Sequence, residues 1–343
     1  MQEKKMIPFC IIEFLEKNTD EEHALLPSEI LESINTIYGE GTIKKTATLI
    51  EHIDNINKFY TSINDGLEII EIKYDKNSRY KNNKRYFYGQ RKFEFAEILF
   101  LQNILLNSNA LPQKEISDIC KKLTSFLSES QKKIIKKEIM TDGSTKTTNR
   151  TVYINLETIQ NSIALKQNIE FNYLQYNLRK ELVNKKREYK YIVSPYGIIC
   201  SYGSYFLIGY HLPTKMKRTY RIDKIKDIKE NLEEGYRDDK SISFSNYVKD
   251  SVFMHTDEKK IEVILRCEMP ILDSVVERFG NCRLIEDKNN PRYFIATIPR
   301  TTYLGIKYWI LQFSSACEVI EPKDLRQDII DTLSKALDRY ENT

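Results

Sequence analysis

Glycine and proline are scarce in this chain, 11 and 9 among 343 residues, and there is a single tryptophan. Isoleucine, lysine, asparagine and tyrosine take their place, a pattern of base-composition drift from which no function follows. Histidine is rare too. His23, His52, His211 and His255 stand far apart, and the sequence holds no HExxH, GxSxG, P-loop or GxGxxG motif. The usual signatures of zinc proteases, serine hydrolases, nucleotide hydrolases and dinucleotide enzymes are therefore absent, and the chain reads as no enzyme. Six cysteines, at positions 10, 120, 200, 267, 282 and 317, form no CxxC and meet no histidine at ligand spacing. That argues against a zinc site or a disulfide framework and for reduced thiols. No run approaches the ~18 consecutive apolar residues of a membrane span. The opening MQEKKMIPFCIIEFLEK has neither the apolar core nor the small residues of a secretory signal. The expectation is a cytoplasmic protein with no membrane partner, no metal and no cofactor.

What the chain does have is charge and periodicity. With 41% hydrophobic and 30% charged residues it reads as soluble and globular, long enough for two or three domains. A net charge of +4 decides nothing until it is located. Ile7, Ile11, Phe14 and Leu15 fall at helical spacing. Pro27 and Ser28 open a second helix that Gly39 closes, and Leu49, Ile53 and Ile56 mark a third with Thr42 as its expected N-cap. Two strand-like runs, LEIIEIKY and KRYFYGQ, then flank DKNSRYKNN. Three helices followed by a hairpin are a winged helix-turn-helix pattern, expected over residues 1–92.

Residues 93–150 read as a helical connector ending in a linker from 140. Residues 151–235 carry about six short strands and read as a small Sm/SH3-like β-barrel. Residues 236–258 read as a second linker. Residues 259–343 alternate β-α-β-α-β-α, an α/β sandwich whose last helix places Leu325, Ile329, Leu333 and Leu337 at spacing four. The fold class expected is multidomain α+β.

Between Glu71 and Lys92 eight cations (Lys73, Lys76, Arg79, Lys81, Lys84, Arg85, Arg91 and Lys92) stand among four tyrosines. Such a hairpin suits duplex phosphates, while small polar side chains at a helix start reach base edges. Thr42, Lys44, Lys45, Thr46 and Thr48 are the candidates on the helix, with Lys44 and Thr48 expected on one face. Lys73, Lys76, Arg79, Lys81, Lys84 and Arg85 are the candidates on the hairpin. A solvated basic hairpin is the plainer alternative.

The stretch GSYFLIGYHLPTKMKRTYRIDKI puts a core-like strand before a basic one. Together with IEFNYLQY and the turn Pro195-Tyr196-Gly197, it resembles the WYL domain of bacterial transcription regulators. The naming triplet is here Tyr205-Phe206-Leu207. Arg218, Tyr220, Arg221, Asp223 and Ile225 match the segment downstream, with Lys224 where the family usually has arginine. The end, YWILQFSSACEVIEPKDLRQDIIDTLSKALDRY, is similar to the WCX extension that follows such barrels.

The resemblance implies a homodimeric, ligand-responsive regulator. It would bind double-stranded operator DNA through the N-terminal domain and a nucleotide or single-stranded nucleic-acid effector through the barrel. Tyr196, Tyr205, Phe206, His211, Arg218, Tyr220, Arg221 and Lys224 are the ligand candidates. Arginine suits phosphate and tyrosine suits a base. In a regular strand Arg218, Tyr220 and Lys224 share one face, and Arg221 and Asp223 the other. Arg221 paired with Asp223 at the barrel edge is the structural alternative. A nucleic-acid-processing enzyme or its accessory subunit, with the barrel as a regulatory module, is the alternative for the whole chain.

Overall fold

The computed structural model describes residues 6–63, 65–74, 84–138, 146–185, 190–201, 203–233, 235–239 and 259–341. The chain divides into two compact units, Met1–Lys146 and Thr147–Thr343.

In the first unit, α1 (Ile7–Asn18), α2 (Pro27–Tyr38) and α3 (Thr46–Thr61) precede an antiparallel hairpin of β1 (Ile70–Tyr74) and β2 (Lys84–Tyr88). The apolar stripes read from spacing are buried together: Ile7, Ile11, Phe14 and Leu15 of α1, Ile30 and Ile34 of α2, and Leu49, Ile53 and Ile56 of α3. Buried Asn57 ties α3 to the hairpin, donating to Ile70 O at 2.8 Å and accepting from its N–H at 3.0 Å.

The start of α3 differs from expectation. Its N-cap is Lys45, and the Thr42 hydroxyl instead donates to Gly39 O at the end of α2, at 2.6 Å. Ile43 explains the shift. It is buried, and Asn35 satisfies both its N–H (3.0 Å) and its carbonyl (2.9 Å). Burying an isoleucine contributes about 1.5–3 kcal/mol, whereas one more helical residue is worth about 0.7 kcal/mol at most. The segment therefore stays outside the helix to let Ile43 reach the core, and Lys44, also outside it, does not share a helical face with Thr48.

Helices α4 (Phe95–Asn107), α5 (Gln113–Thr124) and α6 (Glu129–Glu138) complete this unit. Arg91 holds them to α1. Its guanidinium donates to Phe126 O at 2.9 Å in the α5–α6 turn, to Glu16 O at 2.7 Å, and to Thr19 O. Buried Asp20 accepts the Ser128 hydroxyl at the start of α6 and pairs with His23 at 2.8 Å. Burial alone would raise the Asp20 pKa, but the hydrogen bonds from Ser128 and His23 outweigh it and hold the carboxyl below its usual range.

The second unit opens with α7 (Val152–Leu165), a helix where strands were expected. Thr147 and Asn149, read as linker, are buried as well. Then β3 (Asn168–Tyr176), β4 (Leu182–Asn184), β5 (Tyr191–Ser201), β6 (Ser204–His211), β7 (Met216–Arg221) and β8 (Ile225–Asn231) form one curled antiparallel sheet in the order β4-β3-β5-β6-β7, with β8 also on β3. A 3-10 turn, Ile222–Lys224, separates β7 from β8. Helix α7 packs over β5, β8 and this turn. Its buried Asn155 donates to Ile222 O and Ile225 O at 3.2 and 2.7 Å, and Asn149 caps Asp223 O and Ile225 O beside it. Among the described residues β7 pairs only with β6, so the barrel is a half-barrel with an open seam between β7 and the β3–β4 side.

The last segment folds as β9 (Lys260–Glu268), α8 (Leu272–Arg278), β10 (Arg283–Glu286), β11 (Tyr293–Thr302), α9 (Tyr303–Gln312), β12 (Cys317–Glu321) and α10 (Lys323–Glu341). The sheet is wholly antiparallel in the order β10-β11-β9-β12, and its buried residues form one core with α8, α9 and α10. The βαββαβ order with that pairing is a ferredoxin-like arrangement. Strand β10 adds to the expected alternation, and the spacing-four stripe of α10 is buried only at Leu325 and Ile329, while Leu333 and Leu337 are exposed. Among the described residues no helix is long and apolar enough to cross a membrane.

Candidate functional site

The seam of the half-barrel holds a cavity of about 330 Å3 lined by Tyr173, Lys185, Tyr191, Met216, Lys217, Arg218, Thr219 and Tyr220. Among the described residues three cations and three tyrosines border it, and no carboxylate does. Strand alternation builds this wall. Phe171 and Tyr173 are two apart on β3 and share a face, as Arg218 and Tyr220 do on β7. Phe171, Tyr173, Tyr191 and Tyr220 form a ring cluster with centroids 5.3–6.4 Å apart. Tyr173 is half-buried, and its hydroxyl accepts the Arg221 N–H at 3.1 Å. Burial pushes its pKa up to about 12, so it stays a neutral phenol.

His211 is fully buried behind the cluster, its ring 5.8 Å from Tyr191 and 6.4 Å from Tyr220, with Nδ1 2.7 Å from the Thr214 hydroxyl. Burial, and then the Arg218 charge, lower its pKa to about 4. The imidazole is neutral at physiological pH, so among the described residues the cations at the seam are Arg218, Lys185 and Lys217, the last paired with Asp239.

Gly209 stands opposite Arg218 on β6. A Cβ there would lie 2.4 Å from Val193 Cγ1 and 2.6 Å from Ser194 O. Only glycine lets β5 and β6 approach so closely beside the bulge at Pro195–Gly197.

Of the eight barrel candidates, the cavity brings together Arg218 and Tyr220, with His211 behind them. Arg221 is bound through Nε and a terminal nitrogen to both oxygens of buried Asp223, at 3.0 and 2.9 Å. The Asp223 hydrogen bonds raise its pKa further against burial. The strand ends at Arg221, so Lys224 does not continue the Arg218 face; it sits in the 3-10 turn, its ammonium 5.6 Å from the Tyr176 ring. Tyr196 donates to Arg237 O at 2.7 Å, away from the cavity lining, and Tyr205 and Phe206 are half-buried on β6. Sequence reasoning passed over Tyr173, Tyr191, Lys185 and Lys217. The period-2 spacing of Phe171 and Tyr173 in IEFNYLQY was the signal available for the first.

In the first unit, Lys44, Lys45, Thr46 and Thr48 are exposed together at the start of α3, with Thr42 half-buried in the preceding turn. Lys84 is exposed on β2. Lys73 and Arg85 are cross-strand partners, and both reach the segment before α2. Lys73 donates to Glu21 O at 2.7 Å, and Arg85 donates to Ala24 O at 3.1 Å and stands 3.6 Å from Glu29. Lys76, Arg79 and Lys81 lie outside the described residues.

Fold and cavity define a half-barrel module with a cationic, tyrosine-lined seam, joined in sequence to an antiparallel α/β module. Residues 155–230 match the WYL domain model and residues 259–337 the WCX domain model. The chain carries a WYL domain followed by a WCX domain. Among curated proteins none matches the chain. Two solved structures align over 99% of it. One is proteasome accessory factor B/C (PafBC) of Arthrobacter aurescens, at 13% identity, TM-score 0.26 and 49% of that chain. The other is a CRISPR Cas-related protein, at 10% identity, TM-score 0.36 and 85% of that chain. The chain spans about half the length of the first. Likenesses this loose carry no argument, and the domain matches stand on their own.

Proposed function

We propose that this protein is a ligand-responsive, DNA-binding transcription regulator, its first 92 residues a winged helix-turn-helix and its WYL half-barrel the sensor of a nucleotide or single-stranded nucleic acid. The observation that carries the reading is the seam: three cations and three tyrosine rings, with no carboxylate among the described lining residues, around about 330 Å3. A cavity of that size accommodates a nucleotide-sized group. Guanidinium and ammonium groups suit its phosphates, and the phenol faces suit a base. In the first unit, the exposed lysines and threonines at the start of α3 are the candidate duplex contacts, supported by Lys84. Lys73 and Arg85 are assigned to holding the hairpin. The regulator acts as a homodimer on operator DNA.

The test pairs two titrations. A labelled tetrathymidylate is titrated with wild type and Arg218→Ala, and each protein is then titrated with duplex DNA from upstream of its own reading frame, with and without the oligonucleotide. Arg218→Ala loses about 1–3 kcal/mol of oligonucleotide binding, as for a charge-assisted hydrogen bond, and keeps its duplex affinity without the oligonucleotide. Equal oligonucleotide binding by both proteins removes the seam from the reading.

A further inference from the structure

Residues 235–239, expected as linker from 236, lie as a strap across β5, β6 and β7. The Tyr236 hydroxyl donates to Pro195 O at 2.8 Å, the Tyr196 hydroxyl to Arg237 O at 2.7 Å, and the Arg237 N–H to Ser194 Oγ at 3.0 Å. The Arg237 guanidinium lies 5.7 Å from the centroid of the Tyr210 ring. Two carboxylates follow. Asp238 meets Lys166 at 2.6 Å, and Asp239 meets Lys217 at 2.6 Å. Lys217 is also one of the three cations lining the seam.

The alternation of β7 sends Arg218 and Tyr220 toward the aromatic cluster and Lys217 toward the strap. Because β7 is an edge among the described residues, both of its faces border the opening. Lys217 therefore flanks the seam from the side opposite Arg218. Its ammonium, on a flexible four-carbon stem, is a mobile point charge. In the closed arrangement Asp239 occupies that charge, through an ion pair that is 35% exposed on the lysine and 25% on the aspartate. A partly solvated pair of this kind is weak enough to be exchanged for another anion.

We propose that Asp239 is a built-in competitor for the seam, and that a chain of successive phosphates takes Lys217 from it and lifts the strap. The inference rests on the seam being an anion site. A single phosphate is served by Arg218 and Lys185 and leaves the strap in place. A ligand presenting further phosphates recruits the third cation, so Lys217 and Asp239 set a preference for chain length. The strap lies in sequence between β8 and the chain that leads to the WCX domain, so lifting it changes the tether between the two domains.

The experiment titrates the full chain with fluorescein-labelled tetrathymidylate by anisotropy, and repeats it with tripolyphosphate as competitor. Asp239→Asn should bind the oligonucleotide about three- to tenfold more tightly, as expected when one cation is released to a phosphate. Asp238→Asn makes the same change of charge beside Lys166, which is outside the lining, and should stay within about twofold of wild type. The gain should vanish in Lys217→Ala/Asp239→Asn. Lys217→Ala alone should lose about twofold or less, since Asp239 holds that lysine in the resting protein. A parallel gain for tripolyphosphate identifies the phosphate chain itself as the feature recognised, and a gain confined to the oligonucleotide identifies a nucleotide chain. If Asp239→Asn matches wild type while Arg218→Ala weakens binding, the competitor role is overturned and the anion site survives. If Lys217→Ala loses as much as Arg218→Ala, Lys217 already serves the site and the competitor role fails. If Arg218→Ala matches wild type, the anion site fails and the inference falls with it.

Discussion

An imidazole buried beside a guanidinium is easier to keep neutral than charged, and His211 shows the consequence for stability. Its folded pKa of about 4 lies below the value near 6.5 of an unfolded chain. The unfolded state therefore binds the proton first as pH falls. The contribution is fully present above about pH 6.5 and is lost between there and about pH 4. A loss on the order of 2 kcal/mol is expected across that range. Denaturant melts of wild type and His211→Gln between pH 7 and 4 check this: the variant should lose part of the pH slope. The same scale resolves the two arginines of β7. Arg221 ends the strand and clamps buried Asp223, whereas Arg218 faces the cavity. The alternation of a strand was enough to separate them on paper. Which of the two faces met the cavity was not, because that depends on β3 arriving across the seam.

At the scale of elements, the close contact of β5 and β6 depends on one missing side chain. Gly209→Ala forces a methyl group against Val193 Cγ1 and Ser194 O. It should destabilise the chain by about 1–3 kcal/mol, as overpacking does, read as a lower melting midpoint. Elements whose burial follows a regular apolar period were legible in advance. The stripes of α1 and α3, the strands β5 and β6, and the helix α9 all carry it. Helix α7 was not legible because its buried stripe is Val152, Asn155, Ile159 and Ser162. Two polar members hide the period, and they are polar because Asn155 must cap the carbonyls of the 3-10 turn. Strand β10 was invisible for the opposite reason: all four of its residues are exposed, so no alternation exists. The start of α3 was misplaced because Ile43 answers to a core and to an asparagine eight residues upstream, neither of them local.

For the whole molecule, the proposed division of labour assigns the duplex to the first unit and the effector to the second. Lys44→Ala/Lys45→Ala removes two exposed cations, so thermal melts should be unchanged. Duplex affinity should fall, and the slope of log affinity against log salt should become shallower by about one to two. Unchanged duplex binding would remove the start of α3 from the DNA interface. The order of the parts was legible in the sequence, because each has its own texture of helix or strand. The candidate site was legible only by half, since Arg218 and Tyr220 lie in the basic strand, while Tyr173, Lys185 and Tyr191 come to it from strands and turns more than twenty residues earlier.

Three carbonyls converge on the guanidinium of Arg91, two from α1 and its C-terminal turn and one from the turn between α5 and α6. That makes the residue a keystone rather than a hand held out to DNA. The α1 end and the α5–α6 turn cannot swivel independently without stripping a half-buried cation of its acceptors. Within the first unit, the helices after the hairpin therefore behave as a rigid handle: whatever turns the handle turns the three-helix head with it.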